Sequence, residues 1–243
     1  MPPSANDDPL GAAVLPLRGS RRSCALTPDQ AAAFAQELQE LDADPRVRAI
    51  IIELTGMSPA GPFVPSDPRA APARAIAATT TPTIAAITRD CFDQRLEAAL
   101  ACDVRLADSK ARFAMRYIPN GYLPSDGGTQ RLARLAGRGG ALYMLLTGRI
   151  VGAENARRLG VVDRVIDRAR FDATVQSAAR DIIENAPIAT LYVKEAVHAG
   201  ADLTLAQGLA LEHDLSVMLQ STRDRAEGLR AFAEGRAPEF EGE

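Results

Sequence analysis

The chain of 243 residues contains no tryptophan, and aromatic residues make up only 5% of it. Large rings therefore do not dominate its core; alanine does, and alanine lets helices pack closely. Histidine occurs only as His198 and His213, on late helical segments, and both read as structural. Neither lies near a plausible serine or cysteine nucleophile in sequence, which weakens a Ser-His-Asp reading. The 3 cysteines, Cys24, Cys91 and Cys102, are an odd number without ligand-like spacing. They argue against a disulfide framework and a metal centre, and read as reduced packing residues of a cytoplasmic protein. No apolar run reaches the ~18 residues of a membrane span. The N-terminal MPPSANDDPL lacks the basic and apolar regions of a secretory signal. Positive charge is not in surplus either: 28 Lys and Arg against 31 Asp and Glu give a net charge of −3. That balance argues against a nucleic-acid partner held by a strong positive field. No G-x-x-x-x-G-K-S/T phosphate loop is present; Gly127-Gly128 reads as a helix-start and close-packing feature.

What is present is enough chain for one sizeable core. Residues 1–9 are polar, rich in proline, and expected to be disordered. Residues 10–185 are expected to form the core and 186–243 a helical region. Strands are expected over 12–17, 48–55, 83–87, 104–107, 112–115 and 161–166. The run RAIIIELT over 48–55 is apolar almost throughout, as in a sheet covered on both faces. Thr27-Pro28-Asp29-Gln30 reads as a helix start, with Thr27 as cap, Pro28 at the first helical position and Gln30 closing a capping box. Further helices are expected over 74–79, 94–100, 129–136, 139–147, 153–159, 171–185, 188–199, 205–219 and 223–233. Strands alternating with helices, then mostly helices, indicate an α/β core with a helical C-terminal region.

The stretch PTIAAITRDCFDQRLEAALACD, residues 82–103, carries the chemistry. It reads as a buried strand, a tight polar turn over 88–93 and a helix. A helix start leaves backbone N–H groups unpaired, and these, with the helix dipole, suit an anion or a developing oxyanion. Glu97 lies one turn into that helix, where a carboxylate can transfer protons.

This stretch resembles the signature of the crotonase (enoyl-CoA hydratase/isomerase) superfamily, P-x-I-A-A-V-N-G-x-A-x-G-G-G-x-E-L-A-x-A-C-D. Pro82, Ile84, Ala85, Ala86, Glu97, Ala99, Ala101, Cys102 and Asp103 match it. Other segments follow in the family's order: CALT at 24–27, DPRVRAII at 44–51, YLPSDGGTQRL at 122–132, LTGR at 146–149, AENARRLGVVD at 153–163 and DRAEGLRAFAEGRAPEF at 224–240. The resemblance implies a ClpP/crotonase-like fold of repeated ββα units and a C-terminal trimerisation region, in a homotrimer or dimer of trimers. It also implies an acyl-CoA thioester as partner, with coenzyme A as part of the substrate, no other cofactor, no metal, no nucleic acid and no membrane.

The same resemblance implies an oxyanion hole of two backbone N–H donors and two glutamates. In this chain the first donor position falls on Pro65, which has no N–H, or on Ser66 if the gap lies earlier. The second falls on Gln94, because Asp93-Gln94-Arg95 replaces a glycine triplet. Glu97 matches the first glutamate and Tyr117 stands at the second. Arg22, Ala25, Phe63, Asp67, Arg95 and Pro124 are the implied substrate-binding positions. Each has a plainer reading: Arg22 as a solvated basic turn, Tyr117 as pocket lining, Arg95 as a partner of Glu97 or as solvation of the turn. The expected activity is hydration or isomerisation of an enoyl-CoA thioester. A single-carboxylate hydrolase or decarboxylase, or a catalytically impaired acyl-CoA-binding or assembly subunit, is the alternative.

Overall fold

The computed structural model describes residues 11–17, 26–54, 67 and 69–243. The expected disordered segment 1–9 lies outside them. The capping box at Thr27 is formed: the Thr27 hydroxyl accepts from Gln30 N at 3.2 Å, and the Gln30 side chain accepts from Thr27 N at 3.0 Å. It opens α1 (Pro28–Ala43), which turns Phe34 and Leu38 inward.

Five parallel strands make the main sheet, in the order β1 (Ala12–Pro16), β2 (Ala49–Leu54), β3 (Thr83–Ile87), β5 (Val104–Asp108) and β8 (Arg164–Ile166). Side chains alternate between its faces. Ile50, Ile52, Ala85 and Ile87 point to one side, toward α1, α2 (Pro72–Ala77) and α3 (Gln94–Ala101). Ile51, Ile84, Ala86 and Leu106 point to the other, where Phe171, Val175, Ala179 and Ile183 of α6 (Arg168–Ile183) cover them. Both faces of β2 and β3 are therefore covered, which is why their sequences are apolar almost without alternation.

A smaller sheet joins β4 (Asp90–Phe92), β6 (Arg112–Ala114) and β7 (Val151–Gly152). The strand β4 corrects the expectation of a polar turn over 88–93. Its polar residue Asp90 stands opposite Arg112 of β6 in register, and the two side chains pair at 2.7 Å. The pairing makes an acidic residue compatible with a buried strand. The helices expected over 129–136 and 139–147 are the two limbs of α4 (Gly128–Thr147). They meet at Gly137, whose φ of 68° and ψ of 166° break the helix. Between α4 and β8 lies α5 (Ala153–Arg158).

The last helices are α7 (Pro187–Gly200), α8 (Leu205–Leu219) and α9 (Arg223–Glu234). They contribute little to the core: α7 buries no residue and α8 only Leu215. Polar ties hold α7 instead. Lys194 Nζ reaches Asp103 Oδ2 and the Thr81 carbonyl, both at 2.8 Å, and His198 Nε2 lies 2.7 Å from Asp103 Oδ1. Asp103 also accepts from Thr83 N at 2.7 Å. Burial pushes the Asp103 carboxyl up, but Lys194, Thr83 and His198 outweigh it and hold the group below its ordinary value. No helix of the described residues is long and apolar enough to cross a membrane.

Replacing Lys194 with methionine keeps the stem and removes the charge. Hydrogen bonds to a charged group are worth about 1.5–3 kcal/mol, so Lys194→Met should lower unfolding stability by an amount of that order. Urea titration at neutral pH reads it; a midpoint equal to that of the unaltered protein would show that the tie contributes nothing.

Candidate active site

The turn from β4 into α3 builds the site. Asp93 makes it, with φ 53° and ψ −121°, the one positive φ at a non-glycine among the described residues. Glycine adopts this geometry freely, whereas another residue bears strain of about 1–3 kcal/mol. The position is over-determined by contacts. Asp93 N donates to Ala114 O at 2.9 Å. Its carboxylate accepts from Arg116 N at 2.6 Å, Nε at 2.9 Å and Nη2 at 2.6 Å. The Arg116 guanidinium lies over the Phe92 ring, 4.9 Å from its centre. Burial pushes the Asp93 carboxyl up, against the pull of Arg116.

Beyond that turn, the first intrahelical bond of α3 runs from Glu97 N to Asp93 O, at 2.9 Å. The N–H groups of Gln94 and Leu96 precede it and have no acceptor within the helix. Although Asp93 stands at the cap position, its side chain makes no capping bond to them. The N-terminal end of α3 thus directs amide donors and positive dipole out of the helix.

Glu97 is fully buried behind that end. Its Oε1 accepts from the backbone N–H of Asp126 and of Gly128, each at 2.9 Å. Its Oε2 accepts from the Tyr117 hydroxyl at 2.5 Å. Burial pushes the Glu97 carboxyl above its ordinary value; the Tyr117 hydroxyl and the two amides oppose this, and the nearby charge of Asp126 adds to it. A Cβ on Gly128 would sit 3.0 Å from Glu97 Cγ, Glu97 Oε1 and Pro124 Cβ. A side chain there would press on the carboxylate, so glycine lets α4 start this close to it without displacing a neighbour. Asp126 extends the network, since its carboxylate accepts from Ala73 N at 2.6 Å and Arg74 N at 3.1 Å, capping α2.

The structure brings Glu97, Tyr117, Gln94, Arg95 and Pro124 into buried positions around the α3 start. Tyr117 touches Glu97, and Pro124 packs where α4 begins. Gln94 turns its side chain away into the scaffold: Oε1 accepts from Leu26 N at 2.8 Å and Nε2 donates to Ala70 O. Arg95 is buried, so its reading as solvation of the turn is corrected. Asp67 pairs with Arg69 at 2.6 Å, which holds its carboxyl down to about 2. Arg22, Ala25, Phe63, Pro65, Ser66 and Cys24 lie outside the described residues. Cys91 and Cys102 are buried without a disulfide between them, and burial pushes the Cys102 thiol up to about 12. No cluster of 3 or more potential metal ligands occurs among the described residues.

Sequence reasoning missed the amides of Asp126 and Gly128, and it missed Arg116. The D-G-G run was visible, but its closeness to Glu97 was not. Arg116 sits beside Tyr117 in sequence, and only the fold shows it facing Asp93.

A five-stranded parallel sheet whose central strand leads, through a strand and a turn, into a helix bearing a buried carboxylate is a crotonase-type fold. The chain belongs to the enoyl-CoA hydratase/isomerase family, whose model matches residues 66–243. It is 34% identical over 231 residues to methylglutaconyl-CoA hydratase of Rattus norvegicus, covering 86% of this chain and 73% of that protein. It is 38% identical over 161 residues to (E)-benzylidenesuccinyl-CoA hydratase of Thauera aromatica, covering 66% of this chain and 63% of that one. The match therefore spans less than two thirds of the Thauera protein. Among solved structures, an enoyl-CoA hydratase from Bacillus anthracis superposes with a TM-score of 0.87 at 27% identity, covering 96% of each chain.

Since the Tyr117 hydroxyl stabilises charged Glu97, removing it in Tyr117→Phe should raise the proton affinity of Glu97 further. A base must be ionised to act, so the acid limb of the kcat/KM profile should move to higher pH. The pH–rate profiles of the two proteins check this; superimposable limbs would show that Tyr117 is not coupled to the titrating group.

Proposed function

We propose that this chain acts on enoyl-CoA thioesters, adding water across the conjugated double bond or shifting that bond, with Glu97 as the proton-transfer group. The observation that carries this reading is the buried Glu97 carboxylate set one turn behind the amides of α3. When water adds at the β-carbon, the π electrons move to the thioester oxygen and an enolate forms. A backbone N–H at the α3 start, that of Gln94, would hold this oxygen. Losing one such donor in other enzymes costs on the order of 2.7–4 kcal/mol of barrier. Glu97 takes a proton from the attacking water, and protonated Glu97 returns a proton to the α-carbon. The carboxylate ends as it began.

Tyr117 stands where the family pattern has its second glutamate. Its hydroxyl is already committed to Glu97 Oε2. One carboxylate must therefore serve both proton transfers, which suits isomerisation as well as hydration. The saturation of Glu97 by the Tyr117 hydroxyl and two amides also favours a second reading, in which the site binds an acyl-CoA without turning it over.

The two readings separate on one bench. Crotonyl-CoA is followed by loss of its conjugated thioester absorbance, beside calorimetric titration with coenzyme A. On the first reading, turnover occurs and Glu97→Gln lowers it about 10²- to 10⁴-fold with binding retained. Binding without turnover across several enoyl-CoAs would establish the second reading. Failure to bind any coenzyme A species would overturn both.

Self-association is the partner reading that the surface supports. Phe232 is 87% exposed and Leu205 80%, and Leu209, Val217 and Leu229 are exposed with them on α8 and α9. Apolar surface gathered on helices is ordinarily covered in an assembly. A homotrimer, or a dimer of trimers, in the cytoplasm would cover it. Light scattering behind a sizing column should give a multiple of the 25.8 kDa chain mass, and Phe232→Glu should reduce it; a monomer at micromolar concentration would overturn this assembly.

A further inference from the structure

Asp93 poses a problem for any acyl oxygen held at the start of α3. It occupies the cap position, and an aspartate there ordinarily accepts from the helix's own first amides. Such a bond would occupy the donors that an oxyanion needs. Its negative charge would also oppose a second negative charge beside it. Neither occurs here. The Asp93 carboxylate makes no bond to α3 and is turned toward the end of β6. There the Arg116 backbone N–H serves Oδ1, and the Arg116 guanidinium serves Oδ2 through Nε and Nη2. Asp93 is buried and Arg116 half-buried, with 6% of the Asp93 side chain and 16% of the Arg116 side chain exposed. Phe92, the residue before Asp93, lies under the guanidinium and fixes its plane. Two guanidinium N–H groups converge on Oδ2 while the backbone N–H holds Oδ1, so both oxygens are fixed in direction and the charge is met by a charge-assisted pair.

We propose that Arg116 is a positioning residue that holds the Asp93 carboxylate away from the amides opening α3 and neutralises it, keeping those amides available to the acyl oxygen. The inference rests on the thioester reading above and deepens it, since it assigns a device that makes an aspartate tolerable at this turn. Arg116 need not touch the substrate. Without the guanidinium, the carboxylate keeps only the Arg116 backbone N–H, its charge is unmatched, and its free oxygen turns to the amides and caps them, so that the site is closed by its own turn. If Asp93 is replaced by glycine, nothing is left to hold off, and Arg116 becomes dispensable for the reaction.

The test compares the full chain, Arg116→Ala, Asp93→Gly and the double variant. The readouts are turnover of crotonyl-CoA and the absorbance red shift of a bound coenzyme A thioester with a conjugated aromatic acyl group. That shift reports polarisation of the carbonyl by its donors, which a loss of global stability does not reproduce in folded protein. Arg116→Ala should lose the red shift and fall about 100-fold in kcat, the scale of one lost oxyanion donor. Asp93→Gly should keep both, and adding Arg116→Ala to it should change neither by more than about twofold. If Arg116→Ala does not fold, Arg116→Gln carries the same comparison. Equal losses from the arginine substitution in both backgrounds would overturn the proposal and make Arg116 a plain scaffold residue. So would an undiminished red shift in Arg116→Ala. Absence of thioester binding by the unaltered protein would instead overturn the thioester reading, and this inference with it.

Discussion

A carboxylate removed from water must be met by donors, or it costs several kcal/mol. Glu97 imposes that requirement on everything around it. The Tyr117 hydroxyl comes from the segment after β6, and the amides of Asp126 and Gly128 come from the start of α4. Holding those amides at 2.9 Å fixes where α4 begins and favours glycine at 128, where a Cβ would be tight against Glu97 and Pro124. The same loop then turns the Asp126 carboxylate onto the first amides of α2. One buried charge thus ties α2, α3 and α4 together. These helices lie on one face of the sheet, while α6 closes the other.

Much of the framework is legible in sequence because its signals are local. The Thr27 capping box, the apolar runs of β2 and β3 and the glycine break at 137 depend on residues near one another in the chain. Strand β4 was not legible for the opposite reason. Its Asp90 looks like a turn residue until Arg112, 22 positions away, is placed across from it. The site divides in the same way. Glu97 could be picked out from its place at a strand-to-helix handover. Its donors at 126 and 128 could not, since a backbone amide leaves no mark in a sequence. Gln94 shows a further limit: its identity says that a glycine is missing, but not that its side chain would be drawn off to Leu26 and Ala70.

Departure from the glycine pattern has a physical accommodation at Asp93 and at Gln94. Asp93 keeps the backbone geometry that glycine would have, under strain, because contacts on both its backbone and its side chain hold it there. Gln94 becomes a strut between the segment entering α1 and the segment entering α2. Side chains that would crowd a ligand are thereby turned into scaffold, and the backbone path of the turn is preserved. This explains how a chain lacking the glycine triplet still superposes closely on enoyl-CoA hydratase structures.

Charge is the remaining difference. A site with two ionised glutamates beside a developing enolate places two negative charges near a third. Here the second position is Tyr117, neutral and donating, and the carboxylate of Asp93 is matched by Arg116. Glu97 is the carboxylate carried within α3 itself, and Asp126 adds a further negative charge beside it. The burial of Glu97 raises its affinity for a proton, so it gains as an acid what it loses in readiness to ionise. On the proposed reading, the dipole of α3 and its first amides would meet an enolate with less opposing charge than two ionised carboxylates would present. A single buried carboxylate with a raised proton affinity, facing an N-terminal helix end, is suited to moving one proton out and back on the same face of a thioester.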